Sequence, residues 1–64
     1  MWTTIYVATN IKLAKKIERI LQDESFLVKL KPYAIADNDS LYEVAVLEYE
    51  AADAQNVLIE RSIL

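Results

Sequence analysis

The chain has 64 residues, the size of one small domain near the lower limit for independent folding. Ten Asp and Glu against seven Lys and Arg give a net charge of −3, and Cys, His and Gly do not occur. Without these residues the chain has no disulfides, Ser–His or Cys–His nucleophiles, Cys-ligated metals, P-loop or GxGxxG turn. We therefore expect one domain over residues 1–64 that is not an enzyme and has no cofactor, metal site or catalytic residues.

The first half of the chain predicts a strand followed by a helix. Aromatic and β-branched residues favour a strand over Trp2–Ala8. A helix is then expected from about Ile11 to Asp23, with Thr9 or Asn10 as N-cap. Its apolar stripe has helical spacing and comprises Leu13, Ala14, Ile17, Ile20 and Leu21. Glu24 and Ser25 form the next turn, and in a chain without Gly any residue with positive φ should be Asn, Asp or Ser.

The second half predicts two strands and a second helix. Alternating residues favour a strand over 26–31 that ends at Pro32, a polar loop over 33–40, and a third strand over Leu41–Leu47. The last helix should open at Glu48 or Tyr49. Its inner stripe comprises Ala51, Ala54, Val57 and Leu58, and Ala52, Ile59 and Ile63 should widen it.

The order β-α-β-β-α predicts an α+β fold. A helical crossover makes the first two strands parallel, and a hairpin makes the third antiparallel. We expect a ferredoxin-like βαββα unit with sheet order 1-3-2 and two helices on one face. Strict alternation assigns that face Ile5, Val7, Phe26, Val28, Leu30, Val44 and Val46.

Two helices would leave the other face of the sheet uncovered. The residues expected there are unusually apolar, which predicts an interface with a second copy or with another protein. This candidate interface comprises Trp2, Thr4, Tyr6, Leu27, Leu41, Ala45 and Leu47, with Lys29, Lys31 and Glu43 among them. The alternative is that residues 63–64 or the 33–40 loop fold over part of the face.

The first helix carries two further candidate sites. Lys12, Lys15, Lys16 and Arg19 form a basic stripe, which is either a solvated helix face or a weak nucleic-acid site. Thr9, Asn10 and Lys12 surround the start of the helix, where backbone N–H groups could bind a small anion. We do not expect nucleic-acid binding to be the main function, since the chain is acidic overall.

Several segments together resemble a known family. They are Met1-Trp2-Thr3, residues 5–10, 16–21 and 26–29, Pro32, Tyr42-Glu43-Val44 and the Ala51/Ala54/Val57-Leu58 helix. This pattern, over nearly the whole chain, is similar to the small prokaryotic signal-transducing proteins of unknown function, in the versions found in clostridia-like bacteria. The resemblance implies a βαββα domain related to the PII-like regulators, signal transduction by association, and no catalytic residues. It also implies sensing of a small anionic ligand as an alternative.

The sequence shows neither a membrane-spanning segment nor a signal peptide at Met1. We therefore expect no membrane partner and a cytoplasmic location.

Overall fold

A computed structural model describes residues 1–33 and 41–64 and has an α+β architecture. Three strands form one antiparallel sheet, and two helices pack against it. The strands are β1 (Trp2–Ala8), β2 (Val28–Tyr33) and β3 (Leu41–Leu47); the helices are α1 (Ile11–Asp23) and α2 (Ala51–Glu60), with a 3₁₀ turn over Glu48–Glu50 before α2. The predicted bounds of the first strand, the first helix and the third strand are confirmed.

The sheet has the order β1-β3-β2, as the sequence predicts. Both outer strands run antiparallel to β3, so β1 and β2 are parallel to each other. This arrangement follows from the connections, because α1 crosses over between β1 and β2.

Both helices lie on the same face of the sheet, as expected. One buried cluster joins side chains from β1, β3, α1 and α2: Ile5, Ile17, Leu21, Val44, Val46, Ala54 and Leu58. Helix α1 contacts all three strands, whereas α2 lies over β1 and β3. The two helices therefore share one hydrophobic core, and neither of them covers the opposite face of the sheet.

The helix ends use the residues that a chain without glycine requires. Asn10 caps α1, since its side-chain oxygen accepts a hydrogen bond from the Leu13 N–H at 2.8 Å. The positive-φ residues are both serines, Ser25 at 72° and Ser62 at 62°, and each directly follows the C-cap of a helix. The expectation that Asn, Asp or Ser would take such positions is confirmed in residues 1–33 and 41–64.

A β-bulge in β1 shows that the predicted sides of the sheet are wrong for part of this strand. Thr4 is opposite Ala45 and Tyr6 is opposite Val44, so Ile5 is an extra residue in the ladder. Beyond the bulge the alternation shifts by one residue. Tyr6 packs against the core, although it was expected outside, and Val7 is exposed, although it was expected inside.

Strand β2 differs from the prediction at both ends. It begins at Val28 and continues through Pro32 to Tyr33, rather than covering 26–31. Proline is tolerated because β2 is an edge strand and Pro32 directs its nitrogen away from β3. The Glu48 N–H donates to the Met1 carbonyl at 2.7 Å, so the backbone groups of Glu48 face β1. Because backbone groups alternate along β3, those of Tyr42 also face β1 and not β2. Tyr42 is the partner of Pro32, so no hydrogen bond to β3 is lost at the proline nitrogen.

The second helix starts later and buries a narrower stripe than expected. Residues 48–50 form the 3₁₀ turn, and α2 begins at Ala51. The predicted inner stripe is buried or packed against the core, and so is Ile63. Ala52 and Ile59, expected to widen the stripe, are exposed. Of the loop expected over 33–40, Tyr33 belongs to β2, and the other seven residues lie outside the described part of the chain.

Candidate interaction surfaces

The sheet face opposite the helices is the first candidate site, and we call it the outer sheet surface. The strand pairing places alternate residues of each strand on this surface. Leu27 precedes β2 and is exposed, and we assign it to the same surface because its neighbour Val28 packs against the core. Its residues are Trp2, Thr4, Val7, Leu27, Lys29, Lys31, Leu41, Glu43, Ala45 and Leu47. Six of the seven residues predicted for an interface belong to this set, and Tyr6 is the exception.

Trp2 and Lys29 meet across the middle of the outer sheet surface. The Lys29 ammonium lies 5.2 Å from the centre of the Trp2 ring, which is cation–π geometry. Trp2 is on β1 and Lys29 on β2, so the contact spans the central strand near Ala45. Ala45 is only 7% exposed although neither α1 nor α2 lies over it. A small residue at this position lets the two long side chains approach each other and shield the strand.

A hydrogen bond holds the polar part of the surface. The Thr4 hydroxyl donates to a Glu43 carboxylate oxygen at 2.7 Å, linking β1 to β3 on the outer side. Glu43 is directly opposite Lys31 in the ladder, but no ion pair within 4.0 Å joins Lys31 to a described carboxylate. The surface therefore presents two lysines with one carboxylate that is already hydrogen-bonded.

The exposed apolar part of the outer sheet surface is smaller than the sequence suggests. Trp2 is 41% exposed and Leu27 is 61% exposed, whereas Leu41 and Leu47 are half-buried. The proposed covering of this surface by the C-terminal residues is wrong for Ile63, which packs against the core on the helix side. Within the described ranges, Trp2, Val7 and Leu27 remain as accessible apolar groups.

The basic stripe on α1 lies on the side of the helix opposite the core. Its four residues, Lys12, Lys15, Lys16 and Arg19, are all exposed. Lys15 lies 3.7 Å from Glu18, and Arg19 lies 3.9 Å from Asp23 on the same helix. These intrahelical pairs reduce the positive field of the stripe and favour a solvated helix face.

The start of α1, suggested as an anion site, is partly occupied by its own cap. Thr9, Asn10 and Lys12 are all exposed at this end of the helix. However, the Asn10 side chain already accepts from the Leu13 N–H, which removes one of the donors available to a ligand. The geometry here is that of an ordinary capped helix.

Comparisons with protein families, curated proteins and solved structures give no match for this chain. The family resemblance in the sequence therefore remains an expectation. In the part of the chain that the structure describes, neither helix is long and apolar enough to cross a membrane. The same residues contain no cluster of three or more acidic side chains able to hold a metal ion.

Proposed function

We propose that this chain is a small non-enzymatic regulatory module that acts by association through the outer sheet surface, with a second copy or with another protein. The observation that carries the proposal is the exposure of Trp2 and Leu27 on a sheet face that neither helix covers. Large apolar side chains on an uncovered face favour contact with a partner, because burial removes them from water.

The proposed fold type is the ferredoxin-like βαββα unit, and the proposed role is regulation of the PII-like kind. Support for the fold is the strand order β1-β3-β2 with both helices on one face. Support for the role is the resemblance described above and a sequence without Cys and His, which excludes nucleophiles that depend on them. Sensing of a small anionic ligand is less well supported, because Asn10 caps the start of α1. Weak nucleic-acid binding is also less well supported, because Lys15 and Arg19 have acidic neighbours.

The mass of the protein in solution tests the proposal. Light scattering should show an assembly larger than one chain at concentrations from about 1 µM to about 1 mM, the range of weak protein contacts. Trp2→Glu should weaken this assembly, because it places a carboxylate on the outer sheet surface. Ile11→Glu is the matched control, since Ile11 is similarly exposed but opens α1 on the other layer.

A strictly monomeric protein at all these concentrations would count against self-association. An assembly that tolerates Trp2→Glu as well as it tolerates Ile11→Glu would show that Trp2 is not an anchor of the contact. A thermal-shift screen with phosphate and nucleotides separates the ligand-sensing alternative, because a ligand at 100 times its dissociation constant should add about 2.7 kcal/mol of stability.

A further inference from the structure

The two edges of the sheet are protected unequally against pairing with another strand. Strand β2 carries Lys29, Lys31 and Pro32, and charged residues and proline on an edge strand discourage pairing. Strand β1 has seven residues without a charge or a proline, and most are aromatic or β-branched. It therefore has the composition of an edge that accepts a neighbour.

The backbone of β1 also presents hydrogen-bonding groups to its free side. The Glu48 N–H to Met1 carbonyl bond identifies the first hydrogen-bonded pair between β1 and β3. Since such pairs alternate in an antiparallel ladder, Trp2 and Thr4 direct their N–H and C=O groups away from β3. Within residues 1–33 and 41–64, no strand pairs with β1 on that side.

One flank of α2 lies beside this free edge. The end of α2 faces α1 on one side, where Arg61 contacts Glu24 at 2.9 Å. Helical periodicity places Ala52, Gln55 and Ile59 on the opposite flank, and because α2 lies over β1 and β3 this flank lies toward the free side of β1. All three are exposed, and Ile59 is 56% exposed.

The free edge of β1 and this flank of α2 form one continuous surface, which we call the β1 rim. It comprises Trp2, Thr4, Val7, Ala52, Gln55 and Ile59. None of these residues is charged, although 27% of the residues in the chain are charged. A second copy of the rim would therefore meet it without like-charge repulsion.

We propose that the β1 rim is a homodimer seam. A second copy pairs its β1 antiparallel with this one across a two-fold axis, which makes a continuous six-stranded sheet and brings the two α2 flanks together. Such a contact uses the same patch on both copies, as a two-fold dimer requires. This inference rests on the proposed function, association with a partner, and deepens it, because it names a second copy as the partner and places the contact at the edge of β1 rather than over the middle of the outer sheet surface.

The small size of the rim predicts a weak dimer. Seven residues at about 3.3 Å each make the strand about 23 Å long. A contact made by one strand edge and one helix flank is smaller than a standard interface, which buries roughly 800 Å² per partner. We therefore expect a reversible dimer that forms at micromolar or higher concentration.

Sedimentation equilibrium of two matched variants tests the seam. Ile59→Glu places a carboxylate in the β1 rim, whereas Leu27→Glu places one on the outer sheet surface near β2, on the other side of β3 from the rim. Both residues are exposed in the monomer, so circular dichroism should show two folded proteins. We expect Ile59→Glu to weaken dimerisation about tenfold or more, because a symmetric seam buries Ile59 of both copies. We expect Leu27→Glu to leave dimerisation unchanged.

Hydrogen exchange distinguishes strand pairing from contact between sheet faces. The backbone amides of Trp2 and Thr4 should become protected as protein concentration rises. The amides of Val28 and Leu30, which point to the free side of β2, are the internal control and should not change with concentration.

The possible results separate failure of the seam from failure of the proposed function. A dimer that is lost in Leu27→Glu and kept in Ile59→Glu overturns the seam and supports association through the outer sheet surface. A protein that stays monomeric with rapidly exchanging β1 amides overturns the seam and self-association together. If the β2 amides become protected instead, strand pairing occurs at the β2 edge, and this result also overturns the seam.

Discussion

Replacing Ser25 with glycine should stabilise the protein. Ser25 has φ 72° at the end of α1, a conformation in which an L-residue brings its Cβ too close to the backbone. The surrounding hydrogen bonds hold it there, since the Ser25 N–H donates to Gln22 at 2.9 Å and the Phe26 N–H donates to Leu21 at 3.0 Å. These are the two bonds of the Schellman motif, in which glycine is the usual residue at this position.

The size of the gain follows from two opposing terms. Removing the Cβ relieves a left-handed cost of about 1–2 kcal/mol. Glycine in turn loses about 0.5–1 kcal/mol more conformational entropy on folding than alanine does. The midpoints of these two ranges differ by about 0.75 kcal/mol, so Ser25→Gly is expected to stabilise the protein by about that amount, which in a domain of this size raises the Tm by about 3–6 °C.

Thermal unfolding followed by circular dichroism measures this gain. All variants are compared at one low concentration, because association makes the Tm depend on concentration. Ser25→Ala is the matched control, since it removes the hydroxyl and keeps the Cβ, and it should give no comparable gain. Ser62→Gly repeats the test at the end of α2, where Ile63 and Ser62 make the same two bonds to Leu58 and Ile59.

A Tm for Ser25→Gly at or below that of the parent would refute this reasoning. An equal rise in Ser25→Ala would also refute it, because the benefit would then come from losing the hydroxyl rather than from relieving the backbone.

Substitutions at three further positions test the core, the cap and the ion pair between the helix ends. Ile17→Ala should lower the free energy of unfolding by about 2–5 kcal/mol, because Ile17 is fully buried. Chemical denaturation followed by Trp2 fluorescence measures this loss, and a loss below about 1 kcal/mol would contradict the prediction. Asn10→Ala should cost about 1 kcal/mol through loss of the cap, whereas Asn10→Asp should keep most of the stability; equal melting of the two variants would argue against the cap. Glu24→Gln should lower the free energy of unfolding by no more than about 1 kcal/mol, since the pair of Glu24 with Arg61 is partly exposed. The loss should shrink in about 1 M salt, which screens charges. A loss that persists in salt would indicate a role for Glu24 other than charge pairing.

The helices and the strand order were predictable because their signals are local and redundant. In α1, five apolar residues at helical spacing and an Asn cap agree with one another, and Asn10 is indeed the cap. The crossover and the hairpin leave few ways to arrange three strands, so the position of β3 in the middle followed from connectivity. The serines at positive φ followed from the absence of glycine.

The facing of residues beyond Thr4 was not predictable from alternation. Residues 5–8 are all apolar, so either side of the sheet could accept any of them, and no local signal marks an extra residue at Ile5. The prediction that the second strand ends at Pro32 is wrong for a related reason. Proline cannot continue a strand that is paired on both sides, but it can lie in an edge strand if its nitrogen faces away from the neighbouring strand. That orientation depends on the position of the strand in the sheet, which local sequence does not specify.

The bulge also changes how the surface of the protein should be interpreted. By turning Tyr6 toward the core it removes an aromatic group from the outer sheet surface, and by turning Val7 outward it adds an apolar group near the free edge of β1. At the same time Trp2 and Lys29 contact each other near Ala45 and cover the centre of that surface. The accessible apolar groups are thus displaced from the middle of the sheet toward its margins. A partner that needs apolar contact gains more at the uncharged β1 rim, where unpaired backbone groups add hydrogen bonds, than over the middle of the sheet.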